Sequence, residues 1–262
     1  MELLAPSRWK CIEFLSDIHL DGSDLPSFEA WKHYLQSTQA DALFILGDLF
    51  EVWVGDDALG SGPSFQSECV SILRQAAERL DLHIMCGNRD FLMGAALMQA
   101  CQSMALADPS VLTFCGQRIL LTHGDALCTA DTDYQAFRQT VRSAAWQSDF
   151  LSKPLHERQA MARSIRAQSE SRKQSAASHV DVNDAAAIAL LDSAHASLMV
   201  HGHTHQPGDH ALAPGLRRLV LSDWCLGAAR PRADVLRLCA TDSGRPSWAR
   251  INMASTSSAM SP

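Results

Sequence analysis

Short apolar runs recur along the chain, and each stops at a cluster of polar residues. Cys11-Ile12-Glu13-Phe14-Leu15 leads into Ser16-Asp17-Ile18-His19, and Ala42-Leu43-Phe44-Ile45-Leu46 leads into Gly47-Asp48. Leu82-His83-Ile84-Met85-Cys86 leads into Gly87-Asn88-Arg89-Asp90. Ile119-Leu120-Leu121-Thr122 ends at His123-Gly124-Asp125, and Leu198-Met199-Val200 ends at His201-Gly202-His203-Thr204-His205. Runs this short, bounded by turn residues, predict buried strands. Between them, Cys69, Val70, Ile72, Leu73, Ala76, Ala77 and Leu80 recur at helical spacing and predict an amphipathic helix over 67–80. A second helix is expected over 181–194, with Asp181 as its N-cap. Strands alternating with helices predict an α/β fold whose functional loops follow the carboxyl ends of the strands. Leu219-Val220-Leu221 and Val235-Leu236-Arg237-Leu238 have no helical pattern between them and predict a second, antiparallel or mixed sheet.

The stretch 132–178 breaks this rhythm. It is rich in Arg, Gln, Ser and Ala, and it shows no strand pattern. Trp146, Phe150, Leu151, Leu155, Met161 and Ile165 form an apolar set inside it. A helical cap inserted over the site is expected here, within a single domain spanning 1–250. The tail 251–262 is expected to be disordered, since from Met253 it is Ala, Ser, Thr, Met and Pro.

Composition narrows the choice of chemistry. Hydrophobic residues at 47% and charged residues at 19% are an ordinary globular balance. A net charge of -7 argues against general nucleic-acid binding, which needs a basic surface. The eight cysteines are scattered without a CxxC pair, so buried free thiols of a reducing cytosol are expected, with no disulfide framework. Met1-Glu2-Leu3-Leu4-Ala5-Pro6 lacks the basic start and apolar core of a signal peptide, and no apolar stretch is long enough to span a bilayer.

The five polar clusters present Asp17, His19, Asp48, Asn88, His123, His203 and His205. All seven offer oxygen or imidazole nitrogen and none a thiolate, which suits manganese, iron or zinc in an open site. Asp-x-His and His-x-His have period-two spacing, which on an extended segment points both side chains the same way. A carboxylate can bridge two metals through its two oxygens, a role that suits Asp48. Two dications about 3.5–4 Å apart bind a phosphoryl oxygen and activate water for in-line attack. Taken singly, each residue has a plainer use as a cap, a turn or a packed side chain. That plainer use is assigned to His33, His83, His156, His179, His195 and His210, a strand-end or supporting role to His201, and loop polarity to Asp21, Asp56 and Asp57.

Asp-x-His, Gly-Asp, Gly-Asn-x-Asp, His-Gly-Asp and Gly-His-x-His, in this order, resemble the calcineurin-like metallophosphoesterases. Residues 47–57, 87–94 and 123–129 resemble more narrowly the bacterial diphosphatases of lipid A synthesis that cleave UDP-2,3-diacylglucosamine. Tyr134-Gln135-Ala136-Phe137-Arg138, Asp181-Val182-Asn183 and residues 201–207 fit the same pattern. The resemblance implies a sandwich of two mixed β-sheets flanked by helices, with a helical cap. It implies two manganese ions per chain, one held by Asp17, His19, Asp48 and His205, the other by Asp48, Asn88, His123 and His203. Asp48, Asn88, Arg89 and His123 would carry catalysis. Asn88, Arg89, Asp131, Tyr134, Ser169, His203 and either Arg172 or Lys173 would meet the substrate. Many relatives in the wider superfamily carry His where this chain has Arg89. Arg binds phosphate oxygens through a fork of N–H groups but does not donate a proton near neutral pH.

The activity implied is hydrolysis of UDP-2,3-diacylglucosamine to UMP and 2,3-diacylglucosamine 1-phosphate by water attack at the α-phosphorus. The implied setting is the cytoplasmic face of a Gram-negative inner membrane, bound peripherally, with no nucleic acid and no obligate protein partner. A dinucleoside polyphosphate hydrolase or a protein phosphatase has no need of the long apolar cap. A non-catalytic scaffold on this fold would have lost ligands, and here all seven positions are filled.

Overall fold

The structure is a computed structural model that describes residues 1–175, 180–242 and 244–254, with the side chains of 61 and 167–175 left out. In chain order the strands are β1 (Glu2–Leu4), β2 (Cys11–Leu15), β3 (Ala42–Leu46), β4 (Asp81–Met85), β5 (Met104–Leu106), β6 (Ser110–Phe114), β7 (Gln117–Thr122), β8 (Leu198–His201), β9 (Gly208–Ala213), β10 (Leu216–Val220), β11 (Asp234–Cys239) and β12 (Ser247–Asn252). The helices are α1 (Leu25–Ser37), α2 (Phe65–Ala77), α3 (Ala95–Cys101), α4 (Thr132–Val141), α5 (Ala144–Leu151), α6 (Leu155–Ser175) and α7 (Asp184–Ser193). The strands form two six-stranded mixed sheets, ordered β1-β6-β7-β8-β10-β9 and β12-β11-β2-β3-β4-β5.

Period-two alternation explains why whole strands are apolar. In β3, Ala42, Phe44 and Leu46 enter the core between the sheets, while Leu43 and Ile45 enter the core under the helices. In β8, Leu198 and Val200 face the other sheet, and Met199 faces α7. A strand covered on both faces has no polar side to show. β2 carries one exception, Glu13, buried on the helix-facing side. Its carboxylate accepts hydrogen bonds from Tyr34 Oη at 2.5 Å and Thr38 Oγ1 at 2.6 Å, both from α1 and its C-cap, and from Arg237 Nε at 2.7 Å.

The late runs 219–221 and 235–238 do not share a sheet. β10 pairs parallel with β8, and β11 pairs antiparallel with β2 on the other side of the sandwich. Local pattern gives strand identity but not sheet membership, which depends on the crossing between them. The strand β11 also corrects the cysteine reading. Cys239 lies directly opposite Cys11 in the β11–β2 ladder, and the two form a disulfide with Cα atoms 4.1 Å apart. Their separation of 228 residues hid the pairing. The other six cysteines are free.

The helices begin where side chains can satisfy the first backbone N–H groups. Ser64 and Ser67 form a reciprocal capping box on α2, which buries Cys69, Ile72, Leu73 and Ala76. The N-cap of α7 is Asn183, whose side chain accepts from Ala186 N, and not Asp181. Asp181 is drawn off by charge, pairing with Arg218 at 2.8 Å.

Residues 132–175 hold α4, α5 and α6 and no strand. Phe150 is buried in the helix-side core, and Trp146 stacks on it with ring centroids 4.7 Å apart. Leu155 packs against the same core, whereas Leu151 and Met161 stay exposed. Arg158, 1% exposed, docks α6: its guanidinium donates to Lys153 O at 2.9 Å and Asp57 Oδ1 at 2.9 Å, and also to Val54 O. Asp56 has a different structural use, accepting from Gly94 N at 2.9 Å and Leu97 N at 3.0 Å at the start of α3. The strand β12 runs to Asn252, so the expected tail is structured at its first two residues, and 255–262 lie outside the described residues.

Arg158→Ala strips Val54 O and Asp57 of their partner. The expected cost is about 2–3 kcal/mol of stability, read as a lower thermal midpoint together with faster proteolysis within α5 and α6.

Candidate active site

The five polar clusters meet at the carboxyl ends of β2, β3, β4, β7 and β8. Their backbone is not extended. Asp17, His19 and Asp48 each have φ of 52°, His203 has 69° and His205 has 53°. These are five of the eight non-glycine residues with positive φ among the described residues. Left-handed backbone costs an L-residue roughly 1–2 kcal/mol and is tolerated best by Asn, Asp and His. The paired side chains therefore converge through left-handed turns, and not through the extended, period-two geometry expected from the sequence.

Backbone hydrogen bonds hold these turns side by side. Asp17 N donates to Gly47 O at 3.1 Å, His19 N to Asp48 O at 3.0 Å, Leu20 N to Leu49 O at 2.8 Å and Glu51 N to Leu20 O at 3.2 Å. The closeness demands glycine. A Cβ on Gly87 would lie 2.1 Å from Asp48 Oδ1, and one on Gly47, whose φ is 91°, would lie 2.6 Å from both Gly87 Cα and His123 Nδ1.

Two groups of donors face inward: Asp17, His19 and His205, and Asp17, Asp48 and His123, the ligand atoms of each group lying within 4.8 Å of one another. In the first, His19 Nε2 is 3.3 Å from His205 Nε2, which is 3.3 Å from Asp17 Oδ1. The outer nitrogens of both rings face carboxylates: His19 Nδ1 is 2.9 Å from Glu51 Oε2, and His205 Nδ1 is 3.6 Å from Asp223 Oδ2. When an imidazole ligates a metal through Nε2, a carboxylate beside Nδ1 holds the proton at that outer nitrogen. Asp17 Oδ1 is buried with no hydrogen-bond partner. Three acceptors thus point at one place. In the second group, His123 Nδ1 donates to Leu46 O at 2.9 Å, so Nε2, 2.9 Å from Asn88 Oδ1 and 3.7 Å from Asp48 Oδ1, is the inward atom. His203 Nδ1 also lies 2.9 Å from Asn88 Oδ1. All of these are oxygen or imidazole-nitrogen ligand atoms turned to a common centre, so the donor set fits a metal.

Charge agrees with geometry. Burial would lower the pKa of His123, but Asp48, Asp17 and Asp125 outweigh it and push it up to about 9. Burial also opposes ionisation of Asp17, yet His205, His123 and His19 hold its carboxyl far below the usual range. His203 is pushed down to about 3 by burial and by His123, which keeps its imidazole neutral.

The remaining expected residues separate. Arg89 N donates to Asp48 Oδ1 at 2.8 Å, and its guanidinium lies 3.5 Å from Glu51. Tyr134 stacks near His203, with ring centroids 5.9 Å apart, and its hydroxyl donates to Asp125 Oδ2 at 2.7 Å. Asp131 caps α4 through Tyr134 N at 3.0 Å. Ser169, Arg172 and Lys173 have side chains outside those described. His201 is turned from the cluster, its Nδ1 at 2.9 Å from Gly202 O and its Nε2 at 3.3 Å from Arg218. His33, His83, His156, His195 and His210 join neither donor group, and His179 lies outside the described residues. The supporting carboxylates Glu51, Asp125 and Asp223 were missed. Glu51 and Asp125 lie next to the motifs, yet nothing in their spacing shows which donor they face.

The family described as calcineurin-like phosphoesterase matches residues 12–207, which hold every donor of the cluster. The chain belongs to this family. UDP-2,3-diacylglucosamine hydrolase of Bordetella pertussis is 41% identical over 224 residues, covering 83% of this chain and 87% of that protein. The protein of the same description from Chromobacterium violaceum is 42% identical, covering 81% and 90%. Among solved structures, an archaeal phosphodiesterase is 12% identical over 92% of this chain and 99% of its own, with a TM-score of 0.46. As a calcineurin-like phosphoesterase the chain carries the donor groupings of a dinuclear metal site. Among the described residues no helix is long and apolar enough to cross a membrane.

Gly87→Ala tests how tightly the centre is built. Its methyl must displace the Asp48 turn, and metal affinity is expected to fall roughly 10–100-fold with the circular dichroism spectrum unchanged, as read by metal titration.

Proposed function

We propose that this chain hydrolyses the pyrophosphate bond of UDP-2,3-diacylglucosamine, releasing UMP and 2,3-diacylglucosamine 1-phosphate for lipid A synthesis. The observation that carries the reading is the convergence of Asp17 Oδ1, His19 Nε2 and His205 Nε2 on one place. Relatives described as UDP-2,3-diacylglucosamine hydrolase support the choice of substrate.

Asp17, His19, Asp48 and His205 would hold one manganese, and Asp48, Asn88, His123 and His203 would hold the other. Asp17 belongs to both donor groupings, but hydrogen-bonding capacity favours Asp48 as the bridge. Asp17 Oδ2 already accepts from Ser16 Oγ at 2.5 Å and His203 N at 2.9 Å. Among the described residues the Asp48 carboxylate accepts a hydrogen bond only from Arg89 N, at Oδ1, and its Oδ2 lies 4.0 Å from His19 Nε2. Two dications bound there supply Lewis-acid activation of water and neutralise phosphoryl charge.

This chain's own residues do the rest. Arg89 presents its planar fork to the phosphate oxygens. Asn88 contributes its amide oxygen to the metal and its amide nitrogen to the substrate, adding no charge. Tyr134 holds the face of His203, and Asp131 sets the start of α4 beside it. Because the leaving group is a sugar phosphate, departure needs little help from an acid, and Arg89 is suited to the position. The cap covers the acyl chains, and the protein works peripherally on the cytoplasmic face of the inner membrane, without nucleic acid or an obligate protein partner.

Asp48→Ala should lose both manganese ions and all turnover, whereas His123→Ala should lose mainly one, as elemental analysis of the folded variants shows. An Asp48→Ala protein that is free of metal and fully active removes the two-metal reading.

Substrate choice rests on the acyl chains, each methylene of which contributes about 0.8 kcal/mol on burial. UMP release from UDP-glucosamine lacking acyl chains is expected to be lower in kcat/KM by about two orders of magnitude or more, even after ordering costs. Equal efficiency on the two substrates points to a general nucleotide pyrophosphatase.

A further inference from the structure

Glu51 is a carboxylate at 8% exposure that the hydrolysis scheme does not use. Its position follows from the loop ladder. Leu20 forms a parallel bridge with Phe50, and Glu51 N donates to Leu20 O at 3.2 Å, so the turn after β3 runs beside the turn after β2. The Glu51 side chain is thereby brought to His19. Its two oxygens divide their partners. Oε2 lies 2.9 Å from His19 Nδ1. Oε1 lies 3.5 Å from Arg89 Nη1 and 3.3 Å from Arg166 Nη1. These three groups come from three separate places: the turn after β2, the turn after β4 and the cap helix α6.

One buried anion facing three donors from three elements is more than local charge balance. The carboxylate beside Nδ1 directs the Nε2 lone pair of His19 inward, since a ligating imidazole is oriented by the group at its other nitrogen. An arginine has five N–H donors, so a contact at Nη1 sets the direction of the Arg89 fork while other donors still face the substrate. The contact with Arg166 does the same for α6, and it makes the cap's position depend on the same atom that sets Arg89.

We infer that Glu51 is a positioning residue that orients His19 toward the metal centre through one oxygen and registers Arg89 and the cap's Arg166 through the other. The inference rests on His19 being a metal ligand, as proposed above.

Two substitutions separate the two roles. Glu51→Ala removes both. Its manganese affinity, measured by titration of the metal alone, is expected to fall about 10–100-fold. Glu51→Gln keeps an oxygen for His19 Nδ1 and loses the negative charge. It is expected to bind manganese within about threefold of the unaltered protein while KM rises about tenfold, a loss of binding with little change in kcat. Arg166→Ala should also raise KM, and by a clearly smaller factor in the Glu51→Gln background, because partners acting through one contact are not additive. If Glu51→Ala does not fold, as judged by its thermal transition, Glu51→Gln and the cycle with Arg166→Ala carry the test.

His19→Ala is measured alongside. If it keeps full manganese affinity, the ligand reading fails and the inference falls with it. If His19→Ala loses manganese and Glu51→Ala does not, the metal reading stands and the role of Glu51 in orienting His19 is overturned. Additive effects of Glu51→Gln and Arg166→Ala on KM overturn the link to the cap.

Discussion

The centre of this protein is a crowd of potential metal ligands. Asp17 Oδ1, His19 Nε2 and His205 Nε2 face one another inside about the space of a single ion, and His123, His203 and Asn88 repeat the arrangement alongside. Such a crowd is unfavourable by itself, and a fold can keep it only by over-determining each member. Two six-stranded sheets do so by ending five strands at the same place. The sandwich core makes those ends rigid, while the left-handed turns beyond them aim the side chains. Strain in the backbone and repulsion among the donors are then offset together when cations enter, so folding and metal binding draw on the same interactions.

Legibility in the sequence followed the range of the interaction. An apolar run of five residues ending in a polar cluster is a local signal, and β2, β3, β4, β7 and β8 were readable from it along with the donors at their ends. The amphipathic face of α2 was readable for the same reason. The β11–β2 pairing was not. Cys11 and Cys239 are distant in the chain, and only the antiparallel register makes them neighbours. Asp181 shows a second kind of failure. Its sequence position suits a helix cap, but Arg218 from β10 offers a stronger partner, and Asn183 takes the cap. The expected donors come together even though their backbone was expected to be extended, because residue type and order survive an error in local conformation.

Charged residues in the cap were the least readable. Arg158 and Arg166 sit in a stretch whose composition suggests a solvated helix. One is almost fully buried against Val54 and Asp57, and the other reaches Glu51. Both contacts go to the segment that follows Asp48. The apolar members of the cap divide in a complementary way: Trp146 and Phe150 anchor it to the helix-side core, while Leu151 and Met161 remain at the surface.

This division has a consequence for how a single fold can serve one substrate among many phosphate esters. Metals and an arginine fork recognise a phosphoryl group wherever it occurs, so the strand-end cluster cannot by itself tell one diphosphate from another. Discrimination must come from parts of the substrate away from the reacting phosphorus, and on the proposed reading those parts meet the cap. A cap attached only by apolar packing would be free to shift over its core by small amounts at little cost. Attachment through Arg158 and Arg166 to residues a few positions beyond Asp48 fixes its register relative to the metal centre. If the cap holds an acyl chain as proposed, its binding energy is then transmitted to the position of the phosphorus, instead of being lost in motion of the cap.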